Sequence, residues 1–243
     1  MRRVLFVAGL LLAAHSFAQT PIETARKSLT GLGVDARVDT ANESVVPGFY
    51  DVVAGGKVVF ISKDGRYVLN GNAYDLSNKT DIGESSRARM RLTAVNALGD
   101  DKKIIFSPDK PRHTITVFTD VDCPYCRRFH DQVAAYNAQG IAVDYVFYPL
   151  EIHPGADKKA EAVWCAKDRK SAFTAAMGGH DVAPATCPNP IAESTHVAES
   201  TGIIGTPTIL AGDGTQVAAE IAMVPEKLAA ELDRRAALAQ AKK

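Results

Sequence analysis

The first third of the chain alternates short apolar runs with turn residues, a pattern typical of an antiparallel sheet. Residues 34–76 contain the runs VDARVDT, GFYDVVA, KVVFISK, RYVLNG and AYDL, with AGG, KDG and NGN among the segments between them. Runs of β-branched and aromatic residues bounded by such segments predict strands joined by tight turns. A short helix is predicted before them, because Pro21 favours a helix start and Gly31 and Gly33 favour a stop.

The predicted sheet is small for a hydrophobic core of its own. Two arrangements are open at this point. The sheet can pair with that of a second copy of the chain, or it can pack on the larger domain that follows.

Residues 84–98, ESSRARMRLTAVNAL, contain neither glycine nor proline and predict a helix that serves as a rigid linker. We expect Arg87, Arg89 and Arg91 to lie on its solvated side. The following segment, GDDKKIIFSPDKPRH, contains Gly99 and two prolines. Since these residues interrupt helices and strands, we expect a domain boundary there.

From residue 113 onward the order of predicted elements is β, α, β, several helices, β, β, α. The strands are HTITVFT, IAVDYVFYPL, TPTILAG and TQVAA, and the helices are PYCRRFHDQVAAYNAQG, a helical stretch over about 155–201, and VPEKLAAELDRRAAL. A β-α-β unit with parallel strands, followed by a hairpin and a helix, is a thioredoxin-like arrangement with a helical insertion. The predicted fold class of the whole chain is α+β.

The first 18 residues have the pattern of a secretory signal peptide. Arg2 and Arg3 precede the apolar run VLFVAGLLLAA, and Ser16 and Ala18 occupy the small-residue positions before a cleavage site. An N-terminal membrane anchor is the alternative, but the run is shorter than the roughly 20 residues that a span needs. We therefore expect export and cleavage near Ala18.

The charge of the chain removes one class of partner. Its 243 residues include 28 basic and 28 acidic side chains. This balance gives no electrostatic reason to expect nucleic acid or anionic lipid as a partner, and we expect no nucleic acid.

Export changes the interpretation of the four cysteines, because disulfides persist outside the cytosol. Cys123 and Cys126 are sequence neighbours, which leaves Cys165 and Cys187 as the natural second pair. A zinc site made of Cys123, Cys126 and His130 is the alternative. Structural zinc sites commonly use a second C-x-x-C or an H-x-x-x-H pair, and the sequence has neither. We expect no metal and no other cofactor.

Cys123 falls where a predicted strand ends and a helix begins, with Pro124 at the favoured first helical position. The free N–H groups and the dipole of a helix start stabilise a thiolate there, and the thiolate is the attacking species in disulfide exchange. Cys126 lies one helical turn further in, where it can attack a mixed disulfide on Cys123. Asp120 and Asp122 would oppose the thiolate if they lay close to it. The alternative is a permanently closed disulfide.

The segment GIIGTPTIL provides a second signal. Pro207 follows Thr206 and precedes an apolar strand, which is where a cis proline would sit. In a thioredoxin-like fold this loop lies against the C-x-x-C, and it would present the Thr206 backbone to an extended substrate chain.

Six features together resemble the thiol:disulfide interchange proteins of the DsbC type, and the resemblance extends over nearly the whole mature chain. They are the export signal, the small sheet, the linker helix, the CPYC motif, the second cysteine pair and the GTP segment. The dipeptide Pro-Tyr between the cysteines is typical of the DsbG relatives, whereas the second cysteine pair and the short chain favour the DsbC type. The resemblance implies a V-shaped homodimer with an apolar cleft, located in the periplasm. It also implies roles for individual residues: Cys123 as nucleophile, Cys126 as resolving cysteine, Pro124, Tyr125, Thr206 and Pro207 at the substrate, and Cys165–Cys187 as structural disulfide.

The boundaries expected on this basis are 1–18 for the signal peptide, 19–80 for the dimerisation domain, 81–105 for the linker helix and hinge, and 106–243 for the catalytic domain. The expected function is isomerisation or reduction of wrong disulfides in misfolded or unfolded exported proteins, with a membrane reductase of the DsbD type as electron donor. Two alternatives are a disulfide-forming oxidase and a chaperone that mainly binds unfolded chains.

Overall fold

The computed structural model describes residues 19–35, 37–77 and 79–241. The predicted signal peptide, residues 1–18, lies outside the described residues. In the three ranges that are described, no helix combines the length and hydropathy that a membrane span requires.

The first helix, α1 (Pro21–Gly31), begins at a capping box and covers one face of the N-terminal sheet. The Thr20 hydroxyl accepts a hydrogen bond from the Glu23 backbone N–H, and the Glu23 carboxylate accepts one from the Thr20 N–H. This reciprocal pair satisfies two N–H groups that a helix start leaves free. Leu29 then packs with Val52 and Ile61 of the sheet in a small core.

The N-terminal sheet is antiparallel, as the turn residues predict. Its four strands lie in sequence order, β1 to β4. The central hairpin turns at Gly55 and Gly56, which both have positive φ, a conformation that glycine adopts without steric cost. A separate two-stranded ribbon, β5 and β6, follows. The strands are β1 (Val38–Glu43), β2 (Phe49–Ala54), β3 (Lys57–Ser62), β4 (Val68–Asn70), β5 (Tyr74–Asp75) and β6 (Thr80–Asp81).

The predicted linker helix is α2 (Glu84–Leu98). Arg89 is exposed as expected, but the expectation for Arg91 is wrong. Arg91 is only 5% exposed; its guanidinium pairs with Glu84 at 2.8 Å and donates to the Gly214 carbonyl at 3.0 Å. Because both contacts satisfy its charge and its donors, this arginine can be buried where α2 docks on the C-terminal part of the chain.

The second sheet has the strand order β10-β8-β9-β7. Strands β8 and β9 pair in parallel, while β10 and β7 run antiparallel on the two sides. Strand β7 was not predicted, because its three residues lie between Gly99 and Pro108 in a segment read as a boundary. The strands are β7 (Ile104–Phe106), β8 (His113–Thr119), β9 (Ile141–Phe147) and β10 (Thr208–Leu210).

The prediction of a strand at TQVAA is wrong. This segment makes only an isolated bridge between Leu210 and Gln216 and one hydrogen bond from Val217 N to Ile209 O at 2.9 Å. These two contacts do not make a ladder, so the segment is not a strand.

The helix predicted over 124–140 is two helices, because the chain turns at Asp131 and Gln132. Their apolar faces still fill one core, in which Phe129 stacks on Tyr136 at 4.5 Å between ring centroids. The predicted helical insertion is three helices, α5 to α7. The helices of this part are α3 (Pro124–His130), α4 (Val133–Ala138), α5 (Ala156–Cys165), α6 (Arg169–Met177), α7 (Ile191–Ser200), α8 (Ala219–Ala222) and α9 (Pro225–Ala241), with a 3-10 turn at Asp100–Lys102. The predicted α+β class is confirmed.

Candidate active site

Cys123 is the residue immediately before helix α3, at the end of the turn that follows β8. Its backbone N–H donates to the Asp120 carbonyl at 3.2 Å, and its own carbonyl accepts from the Arg127 N–H at 3.1 Å, the first bond of the helix. Pro124 occupies the first helical position, where a missing N–H costs nothing. This local structure places the Cys123 side chain at the helix start, the position for which the sequence predicted it.

Cys126 lies one turn into α3, and both cysteines are free thiols. Cys126 is 1% exposed and Cys123 is 4% exposed, so only an edge of Cys123 is open to solvent. In its thiol form, Cys123 donates a hydrogen bond from Sγ to the Thr206 carbonyl at 3.3 Å. The Thr206–Pro207 peptide bond is cis. The structure thus brings Cys123, Cys126 and the Thr206–Pro207 loop together.

The two thiols have opposite electrostatic environments. Hydrogen bonding from the Cys126 thiol, from the Thr206 side chain and from the backbone N–H groups of Cys126 and Tyr125 lowers the pKa of Cys123 to about 5, although burial opposes the shift. Burial raises the pKa of Cys126, and the neighbouring Cys123 raises it further. At neutral pH the pair therefore carries one thiolate, and it is on Cys123.

Two buried hydroxyl groups contribute to this environment. Thr119 Oγ1 and Thr206 Oγ1 meet no partner at hydrogen-bonding geometry among the described residues. Each nevertheless favours the charged form of one thiol, because Thr119 lowers the pKa of Cys126 and Thr206 lowers that of Cys123. Sequence reasoning missed Thr119, because a single threonine at a strand end carries no signal of its own.

Asp120 is buried and holds three hydrogen bonds. It accepts from the backbone N–H of Asp122 at 2.8 Å, from the Leu150 N–H at 2.8 Å and from His153 Nδ1 at 2.8 Å. The carboxylate therefore connects the turn before the cysteines to the loop after β9. His153 has no role predicted from the sequence, because no residue near it in the sequence points to Asp120.

Asp122 is paired with two cations. Arg127 contacts its carboxylate at 3.0 Å and Lys159 at 2.8 Å. Each acidic residue that was expected to oppose a thiolate thus has a basic partner. The partners come from α3, α5 and a loop, so only the folded chain brings them together.

Three large apolar side chains near the dithiol are exposed. Tyr125 lies between the cysteines and is 65% exposed, Ile152 precedes His153 and is 78% exposed, and Ile204 precedes the Thr206–Pro207 loop and is 94% exposed. Exposed apolar side chains of this kind favour contact with apolar segments of another chain.

The other two cysteines are paired with each other. Cys165 at the end of α5 and Cys187 before α7 form a disulfide with an S–S distance of 2.07 Å. His130, the third ligand of the zinc alternative, is directed elsewhere. Its Nδ1 lies 3.0 Å from the Tyr145 hydroxyl and its Nε2 lies 3.0 Å from Thr174 Oγ1.

Comparison with known proteins agrees with this architecture. The family model described as a thioredoxin-like domain matches residues 98–236, and the model of the disulfide bond isomerase protein N-terminal domain matches residues 16–84. The thiol:disulfide interchange protein DsbC of Dickeya dadantii is 35% identical over 89% of this chain and 89% of its own length. DsbC of Escherichia coli is 34% identical over 89% of this chain and 90% of its own length.

A crystal structure of a disulfide interchange protein from Neisseria gonorrhoeae is 34% identical and aligns with 46% of this chain and 81% of that chain, with a TM-score of 0.43. The family assignment rests on the sequence relatives and the two family models. The activity it carries is that of a thiol:disulfide oxidoreductase. The chain belongs to the DsbC family of thiol:disulfide interchange proteins.

Proposed function

We propose that this protein isomerises and reduces wrong disulfides in exported proteins of the periplasm, with Cys123 as the attacking thiol and Cys126 as the resolving thiol. The observation that carries the proposal is the asymmetry of the pair. The pKa of Cys123 is lowered to about 5 while that of Cys126 is raised. One cysteine is therefore ready to attack while its neighbour is held back as a thiol.

The reaction begins when the Cys123 thiolate attacks one sulfur of a substrate disulfide. A mixed disulfide forms, and the other substrate sulfur leaves as a thiolate that takes a proton from water. In isomerisation, a second substrate thiolate attacks the mixed disulfide, which restores Cys123 and creates a new substrate disulfide without net oxidation.

In reduction, Cys126 loses its proton and attacks Cys123. The substrate then leaves with two thiols, and the protein holds a Cys123–Cys126 disulfide. Regeneration needs two electrons and two protons, which we assign to a membrane-bound reductase of the DsbD type. Raising the pKa of Cys126 slows this resolution, which leaves time for rearrangement.

The substrates are misfolded or unfolded chains. The Thr206 carbonyl lies 3.3 Å from the Cys123 Sγ, so a chain whose cysteine reaches Cys123 passes along this loop. The surface that contacts the substrate also includes Pro124, Pro207 and the exposed ring of Tyr125. Unfolded proteins expose apolar segments, which favours a rim containing Ile152 and Ile204.

The N-terminal sheet is the element we assign to homodimerisation. Four large apolar or aromatic side chains of the 19–80 region are each more than half exposed: Tyr67, Leu69, Tyr74 and Leu76. Pairing with a second copy would bury them and the free edge of β4. We assign residues 81–105 to the linker and hinge and residues 106–243 to the catalytic domain. The sheet of the catalytic domain also includes Ile104 and Ile105, which lie before residue 106.

A chaperone activity is the second candidate, favoured by the same exposed apolar rim. We assign export to the signal-peptide pattern of residues 1–18, with cleavage near Ala18.

The test combines refolding of a scrambled disulfide protein with the mass of the purified protein in solution. We expect a dimer that restores the native disulfides of the substrate, and a Cys123→Ala variant that does not. A Cys123→Ala protein that still suppresses aggregation would separate the chaperone activity from the exchange activity. A monomer that oxidises thiols but cannot rearrange disulfides would contradict the proposal and favour the oxidase.

A further inference from the structure

The buried Asp120 carboxylate lies three residues before the attacking thiol in the sequence. Its side chain is 0% exposed, and it lies in the turn whose last residue is Cys123. A carboxylate at such a place disfavours a second negative charge on Cys123 unless a cation compensates it. Among the described residues, the ion pair of Asp120 is with His153, whose side chain is 21% exposed.

The charges around this pair are of two kinds. Asp122, the other acidic residue of the turn, is paired with the guanidinium of Arg127 and the ammonium of Lys159. His153 contacts Asp120 at 2.8 Å, and the charges of Cys123 and Asp122 also act on it. Glu151, on the same loop, is exposed. An imidazole is the only one of the three cationic partners whose charge can change near neutral pH.

We infer that His153 is a positioning residue of the dithiol, whose imidazolium neutralises the buried Asp120 carboxylate and thereby stabilises the Cys123 thiolate. The inference rests on the proposed role of Cys123 as attacking thiol. Its test measures the ionisation of Cys123 directly, without a substrate, so it can fail while the proposed function stands.

The electrostatics of His153 support this role. Its pKa is raised by the hydrogen bond to Asp120 and by the charges of Asp120, Cys123 and Asp122. The imidazolium is thus present below that raised pKa, and its effect on Cys123 is lost as the pH rises above it. Since coupling between two titrating groups is reciprocal, a thiolate that favours the imidazolium is itself favoured by it. Closing the Cys123–Cys126 disulfide removes the thiolate, so the His153 pKa falls on oxidation.

The first experiment follows the thiolate absorbance at 240 nm against pH in four reduced proteins: wild type, His153→Gln, Asp120→Asn and the double variant. We expect His153→Gln to lower the ratio of thiolate to thiol at a fixed pH about three- to tenfold, which is half to one pKa unit. In the double variant the uncompensated carboxylate is absent as well, so the ratio should return to within about twofold of wild type.

The matched control is His196→Gln, an exposed histidine on α7. It should leave the ratio unchanged. A purely structural role of His153 predicts that the double variant is altered at least as much as the single one, and that result would overturn the inference. So would a change of less than twofold in His153→Gln.

A second measurement needs no variant that could fail to fold. The imidazole resonances of the wild-type protein are titrated by NMR in the dithiol and disulfide states. We expect the His153 pKa to be higher in the dithiol state, with no such difference at His196. Equal His153 pKa values in the two states would overturn the inference, since they would mean that His153 does not sense the Cys123 charge.

Discussion

The buried His130 makes the stability of this protein sensitive to acid. The residue is 3% exposed, and its ring contacts Phe106 and Phe173 edge to face at 5.0 and 4.9 Å between centroids. Burial lowers its pKa from 6.5 to about 4, although Asp131 opposes the shift. The folded state therefore holds the neutral ring, whereas the unfolded chain takes up a proton as the pH falls below about 6.5.

The sign and size of the effect follow from proton linkage. Between about pH 6.5 and 4 the unfolded state binds more protons at this residue, so the free energy of unfolding decreases as the pH falls. The shift from 6.5 to about 4 corresponds to about 3 kcal/mol once the pH is below both values. From pH 7.5 to 4.5 the loss assigned to His130 is about 2.5 kcal/mol.

Urea unfolding followed by the fluorescence of Trp164, the single tryptophan, measures this loss. Trp164 is 4% exposed and belongs to the same core as Phe173. Wild type is compared with His130→Gln at the two pH values. The substitution loses ring packing at both, so only the pH-dependent difference counts. We expect the variant to lose about 2–3 kcal/mol less than wild type on acidification; a difference under about 1 kcal/mol would refute the reasoning.

Two further predictions concern a cross-link and a close contact. Replacing Cys165 and Cys187 together by alanine opens a loop of 22 residues, and we expect a loss of about 3 kcal/mol of unfolding free energy in denaturant titration. Gly214 has φ +81°, and a Cβ there would lie 2.1 Å from the Ala88 carbonyl oxygen of α2. Gly214→Ala should therefore displace α2 and cost roughly 2–4 kcal/mol, measured in the same way.

Each of these predictions has its own control. A reductant should destabilise the wild type and leave the stability of the Cys165→Ala, Cys187→Ala variant unchanged. Equal stabilities of the two proteins without reductant would contradict the loop-closure argument. Gly212→Ala is the match for Gly214→Ala, because its Cβ would meet only the Thr114 carbonyl at 3.5 Å, an ordinary contact. Similar losses in both glycine variants would mean that the Ala88 contact is not the cause.

Local sequence patterns predicted the features that local physics determines. The turn glycines gave the N-terminal hairpins, since Gly55 and Gly56 adopt the positive φ that such turns need. The order of apolar strands and helices predicted the α+β class and its thioredoxin-like part. Cys123 was expected at a helix start, and Pro124 places it there because proline is favoured at the first helical position.

The features that the sequence did not predict depend on residues far apart in the chain. The pairing of His153 with Asp120 joins positions separated by 33 residues, and Arg91 reaches the Gly214 carbonyl across 123 residues. Strand β7 exists because its three residues pair with β9, not because their own pattern is strong. Neither hydrophobic periodicity nor turn chemistry reports such contacts, so the electrostatic partners of the active site could not be assigned from the sequence.

The central claim is that Cys123 attacks the substrate and Cys126 resolves the product. A trapping experiment tests it most directly: Cys126→Ala protein is mixed with a scrambled disulfide protein, the reaction is quenched with acid, and the linked peptides are identified by mass spectrometry. We predict a stable mixed disulfide on Cys123, and none in the Cys123→Ala, Cys126→Ala double variant. A substrate linked to a different cysteine, or no covalent complex while wild type still rearranges disulfides, would contradict the claim.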